Sequence, residues 1–393
     1  MLAYYASRDL VPLYAVYALL FRDHGLSVAQ TSSLFVLWSV TSFVLEVPSG
    51  AWADLVDRRR LLVASALVYA LGFGAWTVGS GYAAYALGFV LWGLSGAMMS
   101  GTFESAVYDE MVARGTDDDY PRLIGWAESA AMVANLLATL SAAPLFAWGG
   151  YALVGWASVA VALVQALLAA TLPVRGRDGH GGAGEVAAAT QRVLVRYAAM
   201  FRAGVREAAT EPVVRRAVLL AAFLAGTTAY DEYFPLVAGA HGVPTATVPL
   251  LVGLVVLGQA VGTALAGRTA GWGPARTGWL VAAAGTLISV GVLVEPRLGF
   301  VAVAVGYGLL SNAMVVAEAR VQRVITGPAR ATVTSVLGVG EEAFALAVFV
   351  SFGGASRVLG VPVLVALLGV PVVLVGLVVR RWGRPPSSRE PDP

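Results

Sequence analysis

Acidic side chains interrupt several long apolar stretches of this chain, among them Glu104, Asp231, Glu232, Glu341 and Glu342. An ionisable side chain near the middle of a bilayer costs about 2.5–3.5 kcal/mol even on the insertion scale, so such residues usually face neighbouring helices or water. Burial away from water favours the neutral form of a carboxyl group, which can take up or release a proton as its access to water changes. We interpret these acids as candidates for proton exchange or for binding a polar substrate.

The pair Asp231 and Glu232 stands within a long apolar stretch, with Tyr230 and Tyr233 on either side. Two adjacent carboxyl groups beside aromatic hydroxyls could hold a proton or the polar part of a substrate. The alternative is that both acids lie in the water interface, since they stand toward the outer end of their stretch. The sequence leaves these two interpretations open.

Glu341 and Glu342 are also adjacent, and on a helix their directions differ by about 100°, so at most one can point squarely into a common cavity. The other could bind a polar neighbour such as Asn312, which lies near the middle of the preceding apolar stretch. Glu104 and Asp109 are five residues apart and do not share one helix face closely. We treat all of these as hypotheses for coupling or substrate contact.

Aromatic and amide side chains within the apolar stretches could line a cavity, namely Tyr14, Tyr17, Trp38, Asn135, Gln165 and Gln259. For any single one of them, an interfacial position or close helix packing is the commoner explanation. Tyr14 and Asn312 rank higher than the rest as substrate contacts.

The composition places the chain in a bilayer. It is 58% apolar and 13% charged, with a mean hydropathy of +0.75, whereas soluble proteins average about 45–50% and 25%. We therefore expect the first apolar stretch to remain as a membrane helix, since no cleavage site of the small-residue type follows it.

Several kinds of chemistry are excluded or disfavoured by residues that the sequence lacks. There is no Cys, which excludes disulfides, thiolate metal sites and cysteine nucleophiles, and three scattered His offer no metal cluster. All 26 basic residues are Arg, so the lysine of a Walker-type phosphate loop is missing. We expect no cofactor, no metal site and no catalytic residues, and we find no constellation typical of an integral-membrane enzyme.

The elements that must position these side chains are transmembrane helices. A helix needs roughly 20 apolar residues to cross the hydrocarbon core, and unpaired backbone groups exclude irregular structure in lipid. The sequence predicts an all-α membrane protein with twelve helices, over residues 9–21, 30–50, 61–79, 82–107, 123–148, 151–172, 218–240, 248–267, 278–294, 299–319, 333–352 and 361–379.

The long polar interval divides the predicted helices six and six. We expect an N-terminal bundle over 1–173, a linker over 174–211 with an amphipathic helix on the inner leaflet, a C-terminal bundle over 212–380 and a disordered tail over 381–393. With the termini inside, all Arg but Arg22, Arg297 and Arg357 fall on the cytoplasmic side. This asymmetry follows the positive-inside rule.

The stretch from Glu46 to Leu62 joins the second and third predicted helices through a short charged turn. Its residues Gly50, Asp54, Arg58 and Arg59 resemble the loop between helices 2 and 3 of the major facilitator superfamily, although Leu55 and Asp57 depart from that pattern.

The resemblance implies that the Gly50, Asp54, Arg58 and Arg59 group is a conformational latch. In it, Asp54 pairs with the start of the eleventh helix near Arg330. The alternative is that Glu46 and Asp54 cap helix ends and pair with the neighbouring arginines.

The resemblance also implies two pseudo-symmetric six-helix bundles that alternate between inward- and outward-open states around a shared site. In this family the seventh helix lines the cavity, which makes Asp231 and Glu232 the strongest candidates for substrate or proton handling. The run Glu46-Val-Pro-Ser-Gly50 and the Ser100–Asp109 region resemble a bacterial branch of drug or metabolite exporters. A proton-coupled exporter of a small amphipathic compound is the implied function. Proton-coupled nutrient uptake, uniport and a non-transporting receptor or scaffold remain alternatives.

The expected partners follow from this interpretation of the chain as a transporter. They are a small-molecule substrate, protons and the lipid bilayer, with no nucleic acid. We expect a monomer in the cytoplasmic (inner) membrane, with both termini in the cytoplasm.

Overall fold

A computed structural model describes residues 1–173, 211–325 and 330–382 of the chain. These residues form helices and turns, and no strand occurs among them. By length and apolarity, eight helices of the described part could each cross a membrane. Interrupted, merged and shorter helices complete the twelve predicted spans. The predicted linker 174–211 and tail 381–393 lie almost entirely outside the described residues.

The twelve spans are numbered α1 to α12 in chain order. Three of them consist of consecutive pieces: α1 of Leu2–Ser7, Pro12–Ala15 and Tyr17–Asp23, α4 of Tyr82–Met99 and Thr102–Arg114, and α7 of Pro212–Thr227, Thr228–Tyr233 and Phe234–Ala240. The others are α2 (Val28–Leu55), α3 (Arg58–Val78), α5 and α6 (residues 120–148 and 151–170 of the stretch Tyr120–Ala170), α8 (Val248–Ala264), α9 (Pro274–Gly291), α10 (Pro296–Val324), α11 (Arg330–Ala355) and α12 (Val361–Arg381).

The spans pack as two similar halves. In the N-terminal half, α3 packs against α4 and the α5–α6 stretch, and in the C-terminal half α9 packs against α10 and α12 in the same way. The halves meet where α2 contacts α11 and where the α5–α6 stretch contacts α8. We call the two ends of the bundle the Gly25 end, where α1 turns into α2, and the Asp57 end, where α2 turns into α3.

Turns and breaks separate the spans at glycine residues that few other residues could replace. Gly101 interrupts α4 with a φ of +69°, and Gly150 separates α5 from α6 with a φ of +60°. An L side chain rarely adopts such a conformation. The chain therefore breaks α4 after Met99, within the predicted span 82–107.

The charged turn at the Asp57 end is shorter than its sequence indicated. α2 continues to Leu55, and Asp57 caps α3 by accepting a hydrogen bond from the Arg60 backbone N–H at 2.9 Å. The Arg58 guanidinium donates to Asp109 of α4 at 2.6 Å. The described partner of Arg58 is thus a carboxylate of α4. One interpretation of the sequence instead paired this arginine with Glu46 or Asp54. The placements of Gly50 and of the Asp54 side chain lie outside the described part, so the latch stays a prediction.

We predict that Asp109→Asn lowers stability. The Arg58 side chain is 9% exposed and its Nε has no partner within the described residues, so losing the carboxylate leaves a buried guanidinium without its charged acceptor. Because Asp109 itself is largely exposed, water offsets part of this loss, and we expect about 1 kcal/mol. Thermal unfolding of the detergent-purified protein measures it, with the exposed Asp118→Asn as the control. Equal melting temperatures for the two variants would contradict this role of the ion pair.

Close glycine contacts hold α8 against α10. A Cβ added at Gly262 would lie 1.9 Å from the carbonyl oxygen of Gly308, so only glycine fits at this crossing. Small residues allow helix backbones to approach in this way within membranes. The α8–α10 crossing therefore depends on the absence of a side chain.

Gly262→Ala should consequently destabilise the C-terminal half by roughly 1–3 kcal/mol, because the backbones must separate. Gly267→Ala is the matched control, since a Cβ there meets no atom within 4 Å. Melting temperatures in detergent report the difference. If both variants melt like the wild-type protein, the α8–α10 approach is looser than described.

Candidate functional site

A cavity of about 200 Å³ lies between the two halves, and we call it the central cavity. Both halves contribute side chains to it. Its polar and aromatic lining consists of Tyr14, Tyr17, Trp38, Trp92, Asn135, Thr139, Asp231, Glu232, Phe234, Gln259 and Tyr307. The sequence pointed to most of these residues as cavity candidates, and the structure brings them together from α1, α2, α5, α7 and α8.

Asp231 and Glu232 lie in the central cavity, each bonded to a different half. Asp231 accepts a hydrogen bond from the Tyr307 hydroxyl of α10 at 2.7 Å. Glu232 accepts one from the Tyr17 hydroxyl of α1, in the opposite half. Their position between the halves differs from the alternative that placed both acids in the outer water interface. Two carboxyl groups that are adjacent in sequence are therefore hydrogen-bonded to different halves of the bundle.

A break in α7 positions this pair. Residues Thr228–Tyr233 form a 3₁₀-helix between two α-helical pieces, and Pro235 lies in the first turn of the second piece. The hydroxyl groups of Thr227 and Thr228 bond to carbonyl oxygens of the preceding turn. A 3₁₀-helix turns 120° per residue, so adjacent carboxyl groups point in clearly different directions, one to Tyr17 and one to Tyr307.

Three aromatic rings form one wall of the central cavity. Trp92 stacks on Tyr14 with 4.9 Å between ring centroids and an angle of 19° between ring planes. Trp38 also packs against Trp92, with 4.9 Å between ring centroids and an angle of 34° between ring planes. The Tyr14 hydroxyl bonds to that of Tyr69 in α3, which fixes its ring. We call Tyr14, Trp38 and Trp92 the aromatic wall.

A second cavity, of about 970 Å³, lies between α2, α10 and α11 toward the Asp57 end, and we call it the acidic vestibule. Its acidic side chains are Glu46, Glu318, Glu341 and Glu342. Glu342 accepts a hydrogen bond from Ser39 of α2, across the boundary between the halves. No basic residue occurs among the described residues that line it.

A third cavity, of about 320 Å³, shares the aromatic wall with the central cavity, and we call it the side cavity. Arg8, Asp9 and Gln165 line it together with the three aromatic rings. Arg8 Nε lies 3.8 Å from an Asp9 carboxylate oxygen. The Gln165 side chain is buried, and its Oε1 has no hydrogen-bond donor within the described residues.

Two predicted site residues lie away from these cavities. Asn312 is buried, accepts from the Thr269 hydroxyl and donates to the Gly262 carbonyl, so its amide joins α10 to α8 instead of binding one of Glu341 and Glu342 as expected. Glu104 is half-buried in the second piece of α4 near the Asp57 end, and its Oε2 has no partner within the described residues.

Four polar or aromatic residues that line the central cavity were not predicted from the sequence: Trp92, Thr139, Phe234 and Tyr307. Trp92 lies in a glycine-rich run of α4 that also fits close helix contact, so its aromatic type was the only signal. Tyr307 lies in an apolar part of α10, and only its hydroxyl in the middle of a span hinted at a partner.

The halves are in contact at the Gly25 end. The Ser32 hydroxyl of α2 bonds to the Tyr233 hydroxyl of α7 at 2.8 Å, and Tyr233 stacks on Phe352 of α11 with ring centroids 3.5 Å apart. The acidic vestibule lies on the other side of these contacts. The protein is thus closed at the Gly25 end, with its larger cavity toward the Asp57 end.

Two similar six-helix halves around a polar cavity define a multi-pass membrane protein with the architecture of a transporter. Residues 1–361 match the profile of the Major Facilitator Superfamily, and the chain belongs to this family. No protein with curated annotation matches the sequence.

Solved structures of low sequence identity share the fold. The nucleoside transporter NupG is 12% identical with a TM-score of 0.69, over 97% of both chains. A bacterial homologue of the human lysosomal transporter Spinster, inward-facing and unoccupied, is 15% identical with a TM-score of 0.68, over 96% of this chain and 94% of that chain. A bacterial homologue of the iron transporter ferroportin, in an inward-facing state, is 13% identical with a TM-score of 0.69, over 96% and 95%. These likenesses concern the fold.

Proposed function

We propose that this protein is a secondary active transporter that exports a small organic compound in exchange for protons. The observation that carries the proposal is the pair Asp231 and Glu232, half-buried between the halves and bonded to opposite ones. Acids inside a membrane protein are costly and typically mark ion or proton pathways. A scaffold that transports nothing would gain stability by losing them.

The proposed cycle uses the bond between Glu232 and Tyr17. This bond ties the halves together close to the central cavity, and protonation or substrate binding changes the charge that holds it. Loss of the bond would release the Gly25 end, while the acidic vestibule closes at the Asp57 end. Such rocking of two halves around a central site is alternating access.

We further propose that the Asp57 end faces the cytoplasm of the inner membrane, since every Arg of the described residues except Arg22, Arg297 and Arg357 lies toward that end. The latch at Gly50, Asp54, Arg58 and Arg59 would then stabilise the state closed to the cytoplasm. Membership of the drug or metabolite exporter branch, the monomeric state and the domain boundaries are part of the same proposal.

Proton movement in proteoliposomes tests the function. Purified protein is reconstituted, a pH gradient is imposed, and an internal pH dye is followed while a panel of amphipathic compounds is added. Collapse of the gradient by one compound, with the compound accumulating against its own gradient, supports proton-coupled exchange. Co-movement of compound and protons in the same direction would instead show symport. Equilibration of a labelled compound without protons would show uniport and overturn the coupling.

A further inference from the structure

The charges along the space between the halves are almost all of one sign. Within the described residues, each charged side chain that lines the central cavity or the acidic vestibule is a carboxyl group: Asp231, Glu232, Glu46, Glu318, Glu341 and Glu342. The side cavity adds Arg8, but Asp9 lies beside it and offsets its charge. A cleft lined by one sign of charge concentrates ions of the opposite sign.

The aromatic wall supplies a second and independent preference for cations. The faces of Trp and Tyr rings attract a positive charge within about 6 Å of the ring centroid. Tyr14, Trp38 and Trp92 line both the central cavity and the side cavity. The same rings also offer a flat apolar surface on which an aromatic group of a substrate can stack.

A hydrogen-bond acceptor without a donor lies in the adjoining side cavity. Gln165 is 2% exposed, and its Oε1 has no partner within the described residues. A buried polar atom without a partner is costly, and an N–H group of a bound molecule would satisfy it. The acids and the ring faces thus line the central cavity, and the acceptor lines the side cavity, which shares the same three rings.

From these features we infer that the substrate is a small organic cation that carries an aromatic ring, bound with its charge toward Asp231 and Glu232 and its ring on the aromatic wall. This inference rests on the proposed transport function. An organic cation fits better than a metal ion, because in the described part of the chain no three acidic or histidine side chains converge on a common metal position. The acidic vestibule gathers the cation at the Asp57 end, and the central cavity selects its shape.

Three compounds of nearly equal size test the charge class: 1-naphthylmethylamine, 1-naphthylmethanol and 1-naphthoate, which are positive, neutral and negative at neutral pH. Binding to the detergent-purified protein is measured by calorimetry. We expect the amine to bind about tenfold more tightly than the alcohol, and the carboxylate to bind more weakly than both. Equal binding of amine and alcohol, or strongest binding of the carboxylate, overturns the inference. Failure of the amine to bind at millimolar concentration also overturns the inference.

Variants locate the site. Trp92→Leu should weaken amine binding about fivefold, whereas Trp92→Phe keeps a ring face and most of the affinity. Trp126→Leu is the control, because Trp126 lies on the exposed side of α5 against Arg122. Equal affinities of the Trp92→Leu and Trp126→Leu variants would place the cation elsewhere and contradict the assignment.

The proton assay separates this inference from the proposed function. If a neutral or anionic compound drives proton movement, the transport function stands and the charge class is wrong. If the amine binds as expected but no compound moves protons, the charge class stands and the coupling is wrong.

Discussion

Replacing Glu232 by Gln is expected to abolish substrate-driven proton movement while leaving substrate exchange in place. The amide keeps a hydrogen-bond acceptor for Tyr17 but cannot take up or release a proton. We expect the rate of proton movement in proteoliposomes to fall about tenfold or more, which corresponds to about 1.4 kcal/mol in the activation free energy. Exchange of labelled substrate at equal pH on both sides should continue, and it should no longer depend on pH.

Glu295→Gln provides the matched control for this result. Glu295 is exposed at the Gly25 end, where it caps α10 by accepting from the Leu298 N–H. The same chemical change there should leave proton movement unaltered. If Glu232→Gln keeps full proton movement and Asp231→Asn loses it, then Asp231 is the coupling group and the role given to Glu232 is wrong.

A disulfide across the Gly25 end should stop transport until it is reduced. A Cβ at position 353 would lie 3.1 Å from the Ser32 Cβ, close to the separation of about 3.5–4.5 Å that a disulfide requires. The natural sequence has no Cys, so the variant Ser32→Cys with Gly353→Cys carries no competing thiol. After oxidation we expect transport to drop about tenfold or more, and a reductant should restore it.

The neighbouring glycine gives the control for this cross-link. Gly354→Cys with Ser32→Cys should remain uncross-linked and active, because a Cβ at Gly354 meets no atom within 4 Å. Mass spectrometry under non-reducing conditions confirms which pair has formed the bond. Full transport by the oxidised Ser32–Gly353 pair would mean that the halves do not separate at this end during the cycle.

The fold was predictable because hydropathy identifies the stretches that lie in the membrane. In lipid, such stretches form helices, because every backbone polar group must be hydrogen-bonded within the protein. The twelve spans followed from this alone, and the family profile over residues 1–361 agrees with them. The cavity residues Tyr14, Tyr17, Trp38 and Gln259 could be proposed because polar or aromatic groups inside apolar stretches need a reason to be there.

What the sequence could not give is the direction in which each side chain points. Asn312 and Glu342 stand at similar depth, yet Asn312 faces α8 and Glu342 faces Ser39 of the other half. Rotation of a helix about its axis depends on packing against neighbours that are distant in sequence, such as Gly262 against Gly308. Local periodicity contains little of that information when a span is apolar on every side.

The 3₁₀ segment Thr228–Tyr233 allows the length of α7 to change. A 3₁₀-helix rises about 2.0 Å per residue and an α-helix about 1.5 Å, so rewinding six residues would shorten the span by about 3 Å. The same change would turn the two carboxyl groups relative to Phe234–Ala240, the piece that closes the Gly25 end. Winding and unwinding of one short segment can therefore convert a change of charge at Asp231 and Glu232 into a screw motion of the part of α7 at the Gly25 end.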